Sequence, residues 1–89
     1  KSFRDLSVLI DEEVSMNEMV TSVKNINSTL LKSISLFDIY RDKQLKNKKS
    51  YGFRFEFLHP ERTLTDLEVD KIMRKIQNTL KKEFNASFR

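Results

Sequence analysis

Four stretches of the chain alternate apolar and polar residues with the two-residue period that is typical of β-strands. The clearest is 49–57, in which every second position from Tyr51 to Phe57 is aromatic and the intervening positions are small or charged. A strand with this pattern has one aromatic face and one polar face. The alternation predicts strands over about residues 3–11, 33–41, 49–58 and 86–89.

Two further stretches repeat apolar residues at intervals of three and four, which predicts amphipathic helices. Each follows a capping-box pair, Ser15 with Glu18 and Thr65 with Glu68. The apolar stripes are Met19, Val20, Val23, Ile26 and Leu30, and Val69, Ile72, Met73, Ile76, Leu80 and Phe84. The order β-α-β-β-α-β with one-sided helices predicts an α+β fold: a ferredoxin-like βαββαβ sandwich with two helices on one face of an antiparallel four-stranded sheet.

The second strand has an irregular pattern. Ile34 and Leu36 share one parity, whereas Phe37 and Ile39 share the other. A β-bulge near Leu36 would bring both pairs onto one face of the sheet.

The third strand is internal in the usual order of this topology, so one of its faces lies under the helices. Burying Arg54 and Glu56 there would cost several kcal/mol unless they were paired. Burying an aromatic side chain instead contributes about 1.5–3 kcal/mol. The aromatic face is therefore predicted to point inward. Lys49–Phe53 half-matches the signature of RNA-recognition motifs, but in those motifs the aromatics point outward, so this match is misleading.

The opposite face of the sheet is predicted to be a polar plane open to solvent. Cross-strand ion pairs such as Asp38–Arg54 are expected on such a plane. Its predicted members are Asp5, Ser7, Asp38, Tyr40, Gly52, Arg54 and Glu56.

The composition excludes several kinds of site. The 89 residues include no cysteine, one histidine and one glycine, which excludes disulfides, thiolate metal sites and glycine-rich phosphate loops. The chain contains no run of about 18 apolar residues, which is the length that a membrane-spanning helix needs. We expect a single domain over residues 1–89, cut from a longer chain because it lacks an initiator methionine, with no catalytic, cofactor-binding or metal-ligating residue.

The net charge of +4 is unevenly distributed. Residues 41–49 contain five basic residues and one acidic residue, a local charge equal to that of the whole chain. Such a segment is either a solvated hairpin tip or an arm that contacts phosphates.

Four blocks of the sequence together resemble one family. They are Arg4–Asp11, Leu36–Arg41, Lys49–Ser50 with Phe53–Arg54, and Arg62–Asp66 with Glu68–Val69. The family is the ferredoxin-fold anticodon-binding domain at the C-terminus of the bacterial-type phenylalanyl-tRNA synthetase β subunit and of the single-chain organellar enzymes. The resemblance covers essentially the whole chain, with the blocks in the same order and at similar spacing.

This resemblance implies that the chain binds the anticodon stem-loop of phenylalanine tRNA as a non-catalytic domain. Its partners would be that tRNA and other domains or subunits of a parent synthetase, in the cytoplasm or an organellar matrix and not in a membrane. ATP and magnesium would belong to a catalytic domain elsewhere in the parent. The implied RNA contacts are Arg4, Asp5, Ser7, Asp38, Tyr40 and Arg54 on the open side of the sheet, and the loop lysines Lys43, Lys46, Lys48 and Lys49.

A docking module of the same fold, with no direct RNA contact, is the alternative. It would bind other parts of a parent protein through its helix surfaces. The second helix permits this because its charges nearly balance: Lys71, Arg74, Lys75, Lys81 and Lys82 stand against Asp66, Glu68, Asp70 and Glu83.

Overall fold

A computed structural model describes residues 2–26, 29–41, 44 and 46–88 of the chain. The elements are β1 (Ser2–Asp11), α1 (Met16–Lys24), β2 (Leu31–Tyr40), β3 (Lys48–Phe57), α2 (Asp66–Phe84) and β4 (Ser87–Phe88). The sheet has the order β2-β3-β1-β4 with every pair antiparallel. The predicted ferredoxin-like fold is confirmed, and β3 is an internal strand.

Both helices begin at the predicted capping boxes. The Ser15 hydroxyl accepts the Glu18 N–H at 3.1 Å, and the Glu18 carboxylate accepts the Ser15 N–H at 2.7 Å. Thr65 and Glu68 make the same reciprocal pair at 3.2 and 3.0 Å. Each box satisfies backbone donors that have no partner within the helix.

The core lies between the sheet and the helices, and the aromatic face of β3 is its centre. Phe53, Phe55 and Phe57 are at most 2% exposed. They belong to one buried cluster with apolar residues of both helices, including Met19 and Ile76. The predicted inward orientation of the β3 aromatics is confirmed, and Arg54 is exposed on the other side.

The β2 bulge is confirmed, but it does not bring both apolar pairs to the helix side. The register with β3 shifts between Leu36 and Asp38, so that Ile39 lies opposite the buried Tyr51. Phe37 is the extra residue of the bulge and is 55% exposed on the opposite face. A bulge leaves one residue outside the strand pairing, and here that residue is the aromatic one.

An ion pair holds the chain at the start of α2. Arg62 donates from both terminal nitrogens to the Glu68 carboxylate, at 2.7 and 2.5 Å. These hydrogen bonds, followed by the backbone N–H of Thr65, lower the pKa of Glu68 to about 2. The carboxylate therefore stays charged in the folded protein at pH values at which it binds a proton in the unfolded chain.

Replacing a core phenylalanine should destabilise the domain strongly. We expect Phe55→Ala to lower the free energy of unfolding by about 3–5 kcal/mol, because it leaves a cavity under the helices. The control Phe3→Ala removes the same side chain from a site that is 50% exposed and should cost less than about 1 kcal/mol. Urea unfolding followed by circular dichroism measures both values, and equal losses would contradict the assigned orientation.

The Glu68 carboxylate should make stability depend on pH in the acid range. Since its pKa is lowered from 4.5 to about 2, its contribution is present above about pH 4.5 and is lost as the pH falls towards 2. Thermal melting at a series of pH values should show a shallower acid decline for Glu68→Gln than for the unmodified chain. Glu13→Gln, on an exposed turn, is the control. Parallel declines for all three proteins would show that this ion pair does not form.

Candidate nucleic-acid interface

The sheet face that points away from the helices has a regular arrangement in rows, and we call it the open face. Strand register sets the rows, because residues directly opposite one another point to the same side. From one end to the other the rows are Leu9–Ser50–Tyr40, Ser7–Gly52–Asp38, Asp5–Arg54–Ser35 and Phe3–Glu56–Ser33, with Phe37 added by the bulge.

An ion pair between β1 and β3 lies near the centre of this face. Arg54 donates from Nε and Nη2 to the two carboxylate oxygens of Asp5, at 2.7 and 2.9 Å. This bidentate bond lowers the pKa of Asp5 and raises the pKa of Arg54. The expected pairing of Arg54 with Asp38 is wrong, because the register places Asp38 opposite Gly52. The pair with Asp5 uses two of the three guanidinium nitrogens and fixes the direction of the third, Nη1.

The bulge residue Phe37 lies over the strand beside this ion pair. The Arg54 guanidinium carbon is 5.5 Å from the centroid of the Phe37 ring. A Cβ atom at Gly52 would lie 3.0 Å from two ring carbons of Phe37 and 3.2 Å from Cβ of Asp38. These distances are shorter than ordinary van der Waals contact. The ring can therefore pack against β3 because Gly52 has no side chain. One surface of the ring meets the sheet and the other meets solvent.

Two other aromatic side chains are exposed on the same face. Phe3 is 50% exposed and Tyr40 is 46% exposed. The open face is therefore part aromatic rather than the polar plane expected from the sequence. The pattern could have identified Phe3, because it shares the parity of Asp5 and Ser7. The orientation of Phe37 could not be read from parity, because the bulge breaks it.

Five of the predicted RNA contacts lie together on the open face, namely Asp5, Ser7, Asp38, Tyr40 and Arg54. Arg4 does not lie with them. It pairs with the buried Phe55 in the register, so it points towards the helices, and its Nη2 is 3.1 Å from the Asp66 carboxylate of α2. Its nomination as a contact on the open side of the sheet is thus corrected: Arg4 joins β1 to α2.

Two of the lysines assigned to the hairpin loop, Lys48 and Lys49, lie in β3 instead. Lys49 lies in β3 with the parity of Tyr51; it is 5% exposed, and its Nζ donates to the Glu12 carbonyl oxygen at 2.7 Å. Its assignment as a phosphate contact is corrected, because a buried ammonium cannot reach a phosphate. Lys48 is also in β3, 3.5 Å from the Asp11 carboxylate. Lys46 is exposed in the preceding turn, and Lys43 lies outside the described residues.

The charges of the open face favour bases over phosphates as ligands. Three carboxylates, those of Asp5, Asp38 and Glu56, share this face with the single guanidinium of Arg54. Carboxylates repel phosphate groups but accept hydrogen bonds from base edges. Exposed rings offer stacking surfaces to unpaired bases.

Two classes of site find no support in the described part of the chain. No group of three or more histidine, cysteine, aspartate or glutamate side chains there could hold a metal ion. No helix in the same residues is both long and apolar enough to cross a membrane.

Comparison with known proteins identifies the family. Residues 1–89 match the family model described as the ferredoxin-fold anticodon binding domain. Curated relatives named phenylalanine–tRNA ligase β subunit are 38% identical in Clostridium acetobutylicum and Porphyromonas gingivalis and 34% identical in Geobacillus kaustophilus. Each alignment covers 97% of this chain but only 11% of the relative's length. The resemblance drawn from the sequence blocks is confirmed, and the chain belongs to the ferredoxin-fold anticodon-binding domain family.

Proposed function

We propose that this domain binds the anticodon stem-loop of a phenylalanine tRNA through its open face. The observation that carries the proposal is the exposed ring of Phe37, which rests on Gly52 beside the Asp5–Arg54 pair. Together with the exposed rings of Tyr40 and Phe3 it places three aromatic side chains on one sheet face, and exposed apolar patches among polar residues mark interaction sites. Membership of the anticodon-binding domain family supports an anticodon as the ligand.

The bases of a hairpin loop are unpaired, so their flat surfaces and edges are accessible to protein side chains. In the proposed complex one loop base stacks on the solvent side of Phe37, and Tyr40 and Phe3 extend the stacking surface. The Asp38 carboxylate accepts hydrogen bonds from a base edge. Arg54 donates from Nη1 to a base or ribose oxygen, and Asp5 holds the guanidinium in the orientation that this requires.

The domain acts within a larger enzyme in this proposal. The curated relatives are β subunits of phenylalanine–tRNA ligase, and this chain spans 11% of their length. Aminoacylation, with ATP and Mg²⁺, takes place in other parts of the parent, which also supply the partner domains and subunits. Since those relatives are bacterial, the cytoplasm is the proposed compartment. This domain contributes binding and no catalytic group.

Removing the Phe37 ring should weaken loop binding. We expect Phe37→Ala to reduce affinity for a labelled phenylalanine anticodon hairpin by about 1–3 kcal/mol, roughly 5- to 150-fold, because a base loses its stacking partner. Gly52→Ala should act in the same direction, since its new methyl group displaces the ring. Fluorescence anisotropy measures these affinities, with a scrambled-loop hairpin as the RNA control and Leu67→Ala, at an exposed site on α2, as the protein control.

The two open-face substitutions should not be additive. If Gly52 acts by seating the ring, the double variant binds as weakly as Phe37→Ala and no weaker. Unchanged binding by Phe37→Ala would contradict the stacking site. If Phe37→Ala lowered hairpin affinity and Gly52→Ala did not, the ring would bind RNA without its close contact with Gly52.

Removing the Arg54 guanidinium should weaken hairpin binding without unfolding the domain. Arg54 and Asp5 are about half exposed, so solvent screening leaves their pair only a small contribution to stability. Arg62→Ala removes another half-exposed, ion-paired arginine away from the open face and is the matched control. Titration followed by NMR should show shifts on the open face with the unmodified chain and Arg62→Ala, and reduced affinity with Arg54→Ala. Shifts confined to helix surfaces would indicate a docking module instead.

A further inference from the structure

The solvent side of α2 carries a row of basic side chains, which we call the helix stripe. At 100° per residue its members fall within an arc of roughly 120°, on the side of the helix opposite the buried Val69, Ile76 and Leu80. All of them are exposed. The helix stripe consists of Lys71, Arg74, Lys75, Lys81 and Lys82.

Among the residues that the structure describes, the acidic ones of α2 form no ion pair with this stripe, and each contacts another part of the protein instead. Asp66 and Asp70 both lie beside Arg4 of β1, at 3.1 and 3.7 Å. The Glu68 carboxylate is held by the arginine that precedes α2, and Glu83 accepts a hydrogen bond from Ser22 of α1 at 2.5 Å. In the described part of the chain no ion pair joins a carboxylate to the helix stripe. The nearly balanced charge of the helix sequence is therefore separated in space.

The other surfaces of the domain offer few cations to a phosphate. The open face has three carboxylates and one guanidinium that is already paired. In the hairpin, Lys49 is buried, and Lys48 and Arg41 lie beside Asp11 and Glu12. The helix stripe is thus the largest group of exposed cations without ion-pair partners in the residues that the structure describes.

We propose that the helix stripe is a second RNA-binding surface, which contacts a phosphate backbone without regard to base sequence. Lysine and arginine attract the regular array of phosphates on an RNA duplex and release its counterions on binding. An acidic protein surface is a less suitable partner, because interface cores are rich in aromatic side chains and poor in lysine. The only large apolar side chain exposed on α2 is Leu67, one turn before the stripe.

The layered fold makes this surface independent of the open face. The helices cover one side of the sheet, so α2 presents its stripe on the opposite side of the domain from Phe37 and Arg54. RNA bound at the stripe is a different segment from the loop proposed to bind at the open face. The two surfaces can therefore be tested separately, and either proposal can fail without the other.

Binding of a short blunt RNA duplex without a loop tests the helix stripe. The unmodified 89-residue chain should bind this duplex at low salt, with an affinity that falls steeply between roughly 50 and 200 mM salt. Lys71→Gln/Lys75→Gln should weaken binding about tenfold and reduce the salt slope by about 1.8, which is about 0.9 for each lost phosphate contact. Lys81→Gln/Lys82→Gln should show a similar loss. Glutamine retains helix propensity, and circular dichroism checks folding.

The matched control is Lys24→Gln/Lys32→Gln, which removes two exposed lysines from α1 and β2 and changes the net charge equally. It should leave duplex binding within about twofold, because general electrostatic attraction is only weakly altered. Equal losses in the control and stripe variants would overturn the proposal, as would absence of duplex binding at low salt. Poly-glutamate with the same charge as the duplex is the competitor that tests an acidic protein partner. If it displaced labelled duplex as effectively as unlabelled duplex does, the proposal would also be overturned, in favour of that partner.

Loop discrimination keeps the two proposals distinguishable. The stripe variants should retain the ratio of affinities for the phenylalanine anticodon hairpin and its scrambled-loop control, whereas Phe37→Ala should reduce that ratio and keep duplex binding. If the stripe variants abolished loop discrimination, the helix stripe would not be a separate surface, and this inference would fail.

Discussion

Burial of the β3 phenylalanines under the two helices is the constraint on which the other features of this domain depend. Once Phe53, Phe55 and Phe57 lie in the core, alternation directs Gly52, Arg54 and Glu56 to the opposite side. The strand is internal, so both neighbouring strands take their facing from it. The same alternation buries Lys49, which continues the inward row beyond Tyr51 and places its ammonium over that ring at 5.0 Å.

The open face gains its most prominent feature from an irregularity in β2. A regular strand would place Phe37 on the helix side or remove Asp38 from the open face. The bulge lets both side chains lie on the open face, and Gly52 provides the space for the ring. Asp5 and Arg54 then form a rigid polar neighbour to an exposed aromatic surface. This combination suits the bases of an RNA loop better than it suits phosphates.

Charge is distributed between the two sides of the sandwich in a complementary way. The side proposed to read bases carries more carboxylates than cations, whereas the outer arc of α2 carries five cations and no carboxylate. The separation results from particular contacts, above all the ion pairs that Arg4 forms with Asp66 and Asp70. Arg4 thereby acts on the electrostatics of a helix far from it in sequence. A segment whose charges nearly balance in the sequence presents a strongly basic outer surface in the folded protein.

The sequence by itself determined the order of elements, both helix starts, the inward face of β3 and the family. These features depend on local periodicity, on capping spacing and on blocks of residues, all of which are readable along one dimension. Only the tertiary structure decided that Arg54 pairs with Asp5, that Arg4 reaches α2, that Lys49 is buried and that Phe37 is exposed. Each of those outcomes depends on strand register, on the side chosen by a bulge residue or on a contact between distant segments. Periodicity within a single element contains no information about which residue of another element lies opposite.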